Sequence, residues 1–242
     1  MRCLLALVAL VAVLGGACGG NVDDDVFFTY DDRQLLCGQP LDDYLVPENW
    51  DRLLETVDTA VREGWVLNVY AHAPGVSISI PTLERALSMF EGAGLPYLTY
   101  RDLDPEAEPR AGVVFAFDDN GVDSWMSVRS LLQRHGVRAT LFVSNFHELD
   151  AKQRAALHVL EHDGHDIESH TVHHLEAAKY ADLHGPRAWL DDEVLPEIEM
   201  LRADGFAPES FAYPYGSRTA ETDAVIAPYV RWIRTTPGTC DR

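Results

Sequence analysis

The segment Val113–Gly121, which reads VVFAFDDNG, constrains the fold of this chain more than any other stretch. Its leading apolar residues are typical of a strand buried on both faces, as in a parallel sheet covered by helices. The strand ends in two carboxylates, Asp118 and Asp119, and a turn-forming Asn-Gly pair follows them. Charged groups at the carboxyl end of such a strand indicate an α/β enzyme site, although an ordinary acidic turn would give the same local pattern.

The overall composition limits the partners of the protein. The chain has 242 residues, enough for one large domain with its own hydrophobic core. Its formal net charge of −20 argues against nucleic acid and against an anionic membrane surface as partners, because both need clustered Lys and Arg. The charge is compatible with a neutral substrate or a cationic product, and we expect no nucleic acid.

The N-terminus predicts export. A single charge at Arg2 is followed by an apolar run over 3–14 and small residues up to Cys18. This is the pattern of a secretory leader, residues 1–18, which is too short to span a membrane. The residues before Cys18 resemble a bacterial lipoprotein cleavage box, although Leu14 lies four rather than three positions before the cysteine. We expect either a cell-envelope lipoprotein lipidated at Cys18 or a secreted protein released by ordinary leader cleavage.

Two cysteines, Cys37 and Cys240, remain after the leader. An isolated pair in an exported protein predicts a disulfide, which here would tie the start of the mature chain to its end. Two buried free thiols are the alternative.

Apolar periodicity predicts strands that alternate with helices along the chain. Such alternation indicates a parallel sheet, either a barrel or a doubly wound sheet. The first strand, 26–30, is expected at an edge, and the polar, Pro-rich segment 104–112 is the best candidate for a linker. The other predicted strands are 66–71, 96–100, the strand from Val113, 139–143, 166–168, 211–213 and 229–234; the predicted helices are 49–62, 81–91, 124–135, 150–163, 186–203 and 220–226.

Two further motifs follow predicted strands. His170 and His174 are four residues apart, so on a helical turn both rings would point the same way, as two ligands of one metal require. Two imidazoles and one carboxylate would leave a coordination position open to water, as in catalytic sites. His165 and His173 are not expected to be ligands. In FAYPYG, the turn at Pro214–Gly216 would aim the Tyr215 backbone N–H into a cleft to bind an oxyanion, or it is simply an aromatic-rich turn.

Together these motifs resemble a known family. The FDD of 117–119, the HTVHH of 170–174 and the YPYG of 213–216 are similar, in order and spacing, to the first three motifs of the NodB-type polysaccharide deacetylases, carbohydrate esterase family four. The segments HGVRATLFV (135–143) and VRWIRTT (230–236) also resemble strands of that family, so the similarity covers about 111–236. The resemblance implies an α/β fold, a distorted (β/α)7-type barrel.

The resemblance also implies roles for individual residues. Asp118 would be the general base, and the Tyr215 N–H would stabilise the oxyanion. The ligands of a divalent metal, most often zinc, would be Asp119, His170 and His174. Tyr213 and Pro214 would contact the substrate.

One motif of the family is displaced. Its last strand, which ends in Leu-x-His and supplies the general acid, should follow Thr236, but the sequence stops at Arg242. The segment VLNVYAHAPG (66–75) is similar to it, which implies a circularly permuted single domain. In this interpretation 21–103 corresponds to the family's C-terminal part, 104–112 joins the family's usual ends and 113–242 carries the metal site. His72 would then be the general acid; a structural strand-end histidine is the alternative.

The family resemblance leads to a functional expectation with stated rivals. We expect a monomeric hydrolase that removes N-acetyl groups from an N-acetylglucosamine-type glycan. The rivals are an O-acetyl esterase, an amidase acting on a non-sugar substrate, and a lipoprotein that binds glycan without turnover. Two departures bear on the choice: family members often carry Arg where Ala212 stands, which orients the base, and Asn120 replaces a usual Gly.

Overall fold

The structure is a computed structural model, and it describes residues 26–44 and 50–240. The predicted leader and the lipidation site at Cys18 lie outside the described residues. Among the helices that the structure describes, none is both long enough and apolar enough to cross a lipid bilayer.

Ten strands and nine α-helices alternate along most of the described chain. The strands are β1 (Phe27–Phe28), β2 (Leu35–Cys37), β3 (Gln39–Pro40), β4 (Val66–Ala71), β5 (Tyr97–Leu98), β6 (Gly112–Asp119), β7 (Thr140–Val143), β8 (Asp166–Ser169), β9 (Ser210–Ala212) and β10 (Trp232–Thr235). The helices are α1 (Trp50–Glu63), α2 (Ile80–Gly92), α3 (Val122–Ser127), α4 (Arg129–Arg134), α5 (Ala151–His162), α6 (Ala177–His184), α7 (Pro186–Trp189), α8 (Leu195–Ala203) and α9 (Ala220–Ile226).

The strands form one sheet that curls into a nearly closed barrel. Their order is β1-β4-β6-β7-β8-β9-β10-β2, with β3 added against β4 and β5 against β6. All pairings are parallel except that of β1 with β4. The two edge strands, β1 and β2, are consecutive in the chain and contact each other, so the sheet returns on itself. The predicted α/β barrel is confirmed.

The central strand β6 shows how the two faces of the sheet divide. Side chains alternate with a period of two along a strand. Phe115 and Phe117 pack in the layer between the sheet and the helices, where Phe117 stacks on Trp125 with ring centroids 6.5 Å apart. Val114 and Ala116 instead join the cluster that fills the barrel. Asp118 continues this inward series and is buried at the end of the strand.

Several predicted elements differ from the observed ones. The helix expected over 124–135 is two helices, α3 and α4, separated at Val128, whose backbone leaves the α region (φ −101°, ψ 5°). The helix expected over 186–203 is interrupted by a π-helical turn over Leu190–Val194. Helix α6 was not predicted because Ala177 is the only buried residue of its eight, so it carries no apolar stripe. The strands β2 and β3 have three and two residues, too few to show a period.

The ends of the described chain are joined covalently. Cys37 and Cys240 form a disulfide, with their Cα atoms 6.1 Å apart and 203 positions between them in sequence. Cys37 ends β2, which pairs in parallel with β10. The disulfide therefore joins the end of β2 to the segment that follows β10, next to the parallel pairing of these two strands.

Candidate active site

The predicted catalytic and metal-binding residues line one pocket at the carboxyl ends of the barrel strands; Tyr213 also lines it, whereas Pro214 does not. Its volume is about 550 Å³, and we call it the polar pocket. Because all but one strand pairing is parallel, the loops that follow β4, β6, β7, β8 and β9 open at the same end of the barrel. The lining residues are Tyr44, Tyr70, His72, Asp118, Asp119, Asn120, Ser144, Asn145, His170, His174, Tyr213, Tyr215, Arg234 and Thr236.

A carboxylate and two imidazoles converge in this pocket. Asp119 Oδ1 lies 3.0 Å from His174 Nε2 and 3.6 Å from His170 Nε2, and the two Nε2 atoms are 3.2 Å apart. Zinc–nitrogen bonds of about 2.0–2.1 Å that meet at tetrahedral angles place ligand atoms about 3.3 Å apart. The spacing and chemistry of these three groups therefore fit one divalent cation.

The backbone that presents the two histidines is not the helical turn expected from their spacing. The segment 170–174 is an irregular bend, in which Thr171 and His174 have left-handed backbone angles (φ 74° and 56°). The rings meet because the bend turns His174 back towards His170, with ring centroids 4.9 Å apart. The prediction of helix was wrong, whereas the prediction that both rings face one point is matched by the geometry.

Neighbouring groups orient each histidine. His170 Nδ1 donates to the Ala212 carbonyl oxygen at 2.8 Å, and His174 Nδ1 lies 3.2 Å from the Tyr215 hydroxyl. Contacts of this kind fix the tautomer and leave Nε2 free to bind a cation. Burial alone would raise the pKa of Asp119, but the adjacent His170 and His174 rings hold that pKa well below its usual range. Asp119 is therefore ionised, as a metal ligand must be.

Asp118 is held by an arginine that the sequence analysis did not identify. Arg234 on β10 is buried in the barrel, and one guanidinium nitrogen donates to Asp118 Oδ2. The other carboxylate oxygen, Oδ1, is buried and has no hydrogen-bond partner among the described residues. Asp118 thus has one oxygen fixed by a cation and one free to accept a proton.

His72 lies beside Asp118 and forms a second charged pair. It follows β4, whose Ala71 pairs with Phe117 of β6, so the register brings His72 next to Asp118. Its Nδ1 donates to Asp42 Oδ2 at 2.6 Å, and its backbone N–H donates to Asp42 Oδ1 at 3.1 Å. Burial favours the neutral ring, but the Asp42 hydrogen bond and the Asp118 charge outweigh it and raise the pKa of His72 to about 9.

The turn after β9 brings Tyr215 to the rim of the pocket. The Gly216 and Ser217 amides close this turn by donating to the Tyr213 and Pro214 carbonyls, so neither of these bonds uses the Tyr215 amide. The Tyr215 ring is two-thirds exposed and packs against His174 at 4.7 Å. Tyr213 and Pro214 are buried; the Tyr213 ring stacks on Trp189 and reaches only the wall of the pocket.

Left-handed backbone angles are concentrated around the polar pocket. Among the described non-glycine residues six have positive φ, and all but Tyr30 lie on the loops of this pocket: Asp119, Asn145, Thr171, His174 and Tyr215. Such angles cost about 1–3 kcal/mol each and persist only where the surroundings enforce them. Their clustering indicates that these loops are held in shape for a function rather than for stability.

The remaining two histidines considered from the sequence lie outside the pocket. His165 is buried, and its Nδ1 accepts from the Ala139 amide at 2.9 Å. Burial lowers the pKa of His165 to about 4, so this ring is neutral and structural. His173 does not line the polar pocket and pairs with Glu193.

Two residues central to this arrangement, Arg234 and Asp42, were missed in the sequence. The signal for Arg234 was an arginine two residues after Trp232, and therefore at an inward position of a fully buried strand. Asp42 lies in an acidic stretch whose pattern carries no comparable signal.

Comparison with known proteins agrees with this geometry. No curated protein sequence matches the chain. Solved structures similar to it include the Streptococcus pyogenes deacetylase PplD in complex with acetate (17% identity, TM-score 0.56, covering 72% of this chain and 94% of that one). Others are IcaB from Ammonifex degensii (16%, 0.58, 70% and 83%) and the putative polysaccharide deacetylase BA0330 from Bacillus anthracis (19%, 0.59, 71% and 57%).

At these identities the structural matches establish the fold. The sequence profile of the polysaccharide deacetylases matches residues 106–229, which is more than half of the chain and includes the Asp pair, both metal-ligand histidines and the Tyr215 turn. The chain therefore belongs to the polysaccharide deacetylase family, whose members are hydrolases that act on carbon–nitrogen bonds.

Proposed function

We propose that the protein is a metal-dependent de-N-acetylase of an N-acetylglucosamine-type polysaccharide or oligosaccharide. One observation carries the proposal: Asp118, with a free buried oxygen, shares a pocket with the Asp119-His170-His174 cluster and with His72. The similar Streptococcus pyogenes deacetylase PplD is in complex with acetate, which is the acid that de-N-acetylation releases. This supports acetyl-group hydrolysis as the reaction.

Zn²⁺ is the metal that the donor set favours. Two imidazoles and one carboxylate form the protein ligand set of several catalytic zinc sites. When bound by Asp119, His170 and His174, the ion would polarise the acetyl carbonyl and lower the pKa of a bound water.

The other pocket residues supply the proton transfers. Asp118 Oδ1 accepts a proton from the attacking water, while Arg234 donates to Oδ2 and keeps the carboxylate in place. The Tyr215 amide donates to the oxyanion of the tetrahedral intermediate. His72, protonated because of Asp42, gives its proton to the amide nitrogen as the carbon–nitrogen bond breaks. Acetate and a free amine leave.

The order of the elements supports circular permutation as the origin of this arrangement. The family profile begins at residue 106, so the strand that carries His72 precedes the matched region. That strand, β4, pairs directly with β6. We infer a single domain in which 21–103 supplies the family's C-terminal part and 104–112 joins the family's usual ends. A rearranged chain that starts within 104–112, with residues 240 and 26 connected by a linker, is expected to fold and to retain activity.

We also infer export. The leader pattern of residues 1–18 and the Cys37–Cys240 disulfide both suit a compartment outside the cytosol, because disulfides persist in oxidising surroundings. Lipidation at Cys18 would hold the protein on the cell envelope; otherwise it is secreted.

The deciding experiment is acetate release from N-acetylglucosamine oligomers. Wild type, Asp118→Asn and His72→Ala are compared with Zn²⁺ and after chelation, with Asp43→Asn as a control outside the polar pocket. Activity that requires metal, Asp118 and His72 but tolerates Asp43→Asn supports the proposal. Turnover of acetylated xylan alone would select the esterase alternative, and zinc binding without acetate release would select the glycan-binding lipoprotein.

A further inference from the structure

The loop that carries both metal-ligand histidines is strained. Thr171 is β-branched, yet its φ is 74°, and His174 at the end of the loop has φ 56°. A β-branched residue rarely adopts this conformation without external support. Within the loop, the His174 amide donates to Thr171 Oγ1 at 3.0 Å, but this bond does not attach the loop to the rest of the protein.

Glu193 supplies three attachments from one residue. Its carbonyl oxygen accepts from the Val172 amide at 2.9 Å. Its carboxylate accepts from the His173 amide through Oε2 at 3.0 Å and from His173 Nδ1 through Oε1 at 2.7 Å. The Glu193 side chain is only 2% exposed, although the His173 ring is more than half exposed. A buried carboxylate is thus hydrogen-bonded to the middle of the loop, between His170 and His174.

The helix geometry explains how Glu193 reaches this position. It lies in the π-helical turn Leu190–Val194, which joins α7 to α8. A π-turn shifts the residues after it relative to those before it, and such turns are often found at functional sites. Four residues later, Glu197 of α8 accepts from the Phe146 amide at 3.1 Å. The segment made of the π-turn and α8 therefore contacts two loops of the polar pocket. These loops also contact each other, because the Asn145 amide donates to the Thr171 carbonyl at 3.1 Å.

We propose that Glu193 is a positioning residue for the metal site. It holds the 170–174 loop in the left-handed bend that places the two Nε2 atoms 3.2 Å apart. His173 is the loop residue that the Glu193 carboxylate binds, through its amide and its ring, and it is not a metal ligand. The inference rests on the proposed metal-dependent function, because it concerns how tightly the protein binds the cation rather than how the chain folds.

The test measures Zn²⁺ affinity by competition with a chromophoric chelator, alongside the thermal midpoint without metal. Glu193→Ala is expected to raise the Zn²⁺ dissociation constant about 10- to 100-fold, the usual effect of removing a group that orients a metal ligand. Glu193→Gln keeps the shape and one acceptor, so it should retain most of the affinity. Glu199→Gln, on the exposed side of α8, is the matched control and should equal wild type.

The outcomes separate this inference from the function it rests on. Equal Zn²⁺ affinity in wild type and a folded Glu193→Ala overturns the role of Glu193 alone. Absence of Zn²⁺ binding by wild type overturns the proposed metal site as well. If Glu193→Ala does not fold, His173→Ala decides, because it removes only the ring contact: a weakened Zn²⁺ affinity at unchanged thermal midpoint supports the inference, and unchanged affinity contradicts it.

Discussion

Arg234 pairs with Asp118 inside the barrel, and the strand that carries Arg234 is not the one that the family pattern would use. Arg234 on β10 is directly in register with Ala212 on β9, the position where family members often carry the arginine. The guanidinium therefore reaches the same carboxylate from the neighbouring strand. It also lies over the Tyr70 ring, 4.4 Å from the ring centroid. We therefore propose that Arg234 takes over, from the neighbouring strand, the role of the arginine expected at position 212.

This register predicts that an arginine at position 212 can replace Arg234 as the partner of Asp118. In Arg234→Leu, Asp118 remains buried without its partner, so we expect about 3–5 kcal/mol of lost stability. We also expect a drop in kcat of about 100-fold, within the range of general base catalysis. Ala212→Arg combined with Arg234→Leu should recover much of both, because the volume vacated on β10 adjoins position 212.

Steady-state kinetics and urea unfolding of the two variants check this prediction. Arg187→Leu is a suitable control, because it removes an exposed helical ion pair with Asp191 and should change little. A double variant that folds and binds Zn²⁺ but is no more active than Arg234→Leu would contradict the prediction, because it would show that an arginine on β9 cannot replace the one on β10.

The Asp42–His72 pair predicts the alkaline limit of activity. His72 must be protonated to act as the acid, so kcat should fall as the pH rises through its pKa of about 9. Asp42→Asn removes a negative charge and a charged hydrogen-bond acceptor, so the pKa of His72 falls and the alkaline limb moves to lower pH. Asp43→Asn, whose Oδ2 accepts from the Ser79 amide, should leave the limb in place. A pH–rate profile unchanged by Asp42→Asn would exclude His72 as the titrating acid.

The sequence revealed the site residues that end strands, but it did not reveal the residues that contact them from other strands and loops. Asp118, Asp119 and His72 each follow an apolar run, and a buried strand that ends in a charged residue is visible without a structure. Arg234 and Asp42 act through strand register and loop packing, which depend on the whole barrel. Their partners are 116 and 30 positions away in sequence, so local pattern could not reveal them.

The backbone of the histidine loop shows a second limit. The four-residue spacing of His170 and His174 suggested a helix, since helices commonly bring such pairs together. The structure obtains the same convergence from a left-handed bend, held from outside by Glu193. Spacing therefore predicted which rings meet, whereas the conformation that joins them depends on a residue about 20 positions further along the chain.

The disulfide predicts a loss of stability without a loss of chemistry. Cys37→Ala combined with Cys240→Ala opens a loop of 203 positions, for which chain entropy indicates about 5 kcal/mol. Neither cysteine lines the polar pocket, so kcat at low temperature should be close to wild type. Urea unfolding of the oxidised protein, the reduced protein and the variant measures the effect. Equal unfolding midpoints in oxidised and reduced wild type would contradict it.

Glu168 predicts how stability depends on pH. It is fully buried on β8, and burial raises its pKa to about 8, with Asp166 adding to the rise and the Ser210 and Glu209 amides and Arg101 opposing it. The unfolded chain loses this proton near the ordinary pKa of 4.5, whereas the folded protein keeps it, so the contribution of Glu168 to stability declines as the pH rises from about 4.5 to 8.

Glu168→Gln removes this dependence while keeping an oxygen that can accept from the Glu209 and Ser210 amides. The free energy of unfolding of the variant, relative to wild type, should therefore increase between pH 5 and about 8, by at most about 1.4 kcal/mol per pH unit. Urea unfolding at several pH values measures the difference. Glu209→Gln, which removes a half-exposed carboxylate beside the same Arg101, serves as the control. A wild-type-minus-variant difference that does not change with pH would show that Glu168 is ionised in the folded protein, with Arg101 as its counter-ion.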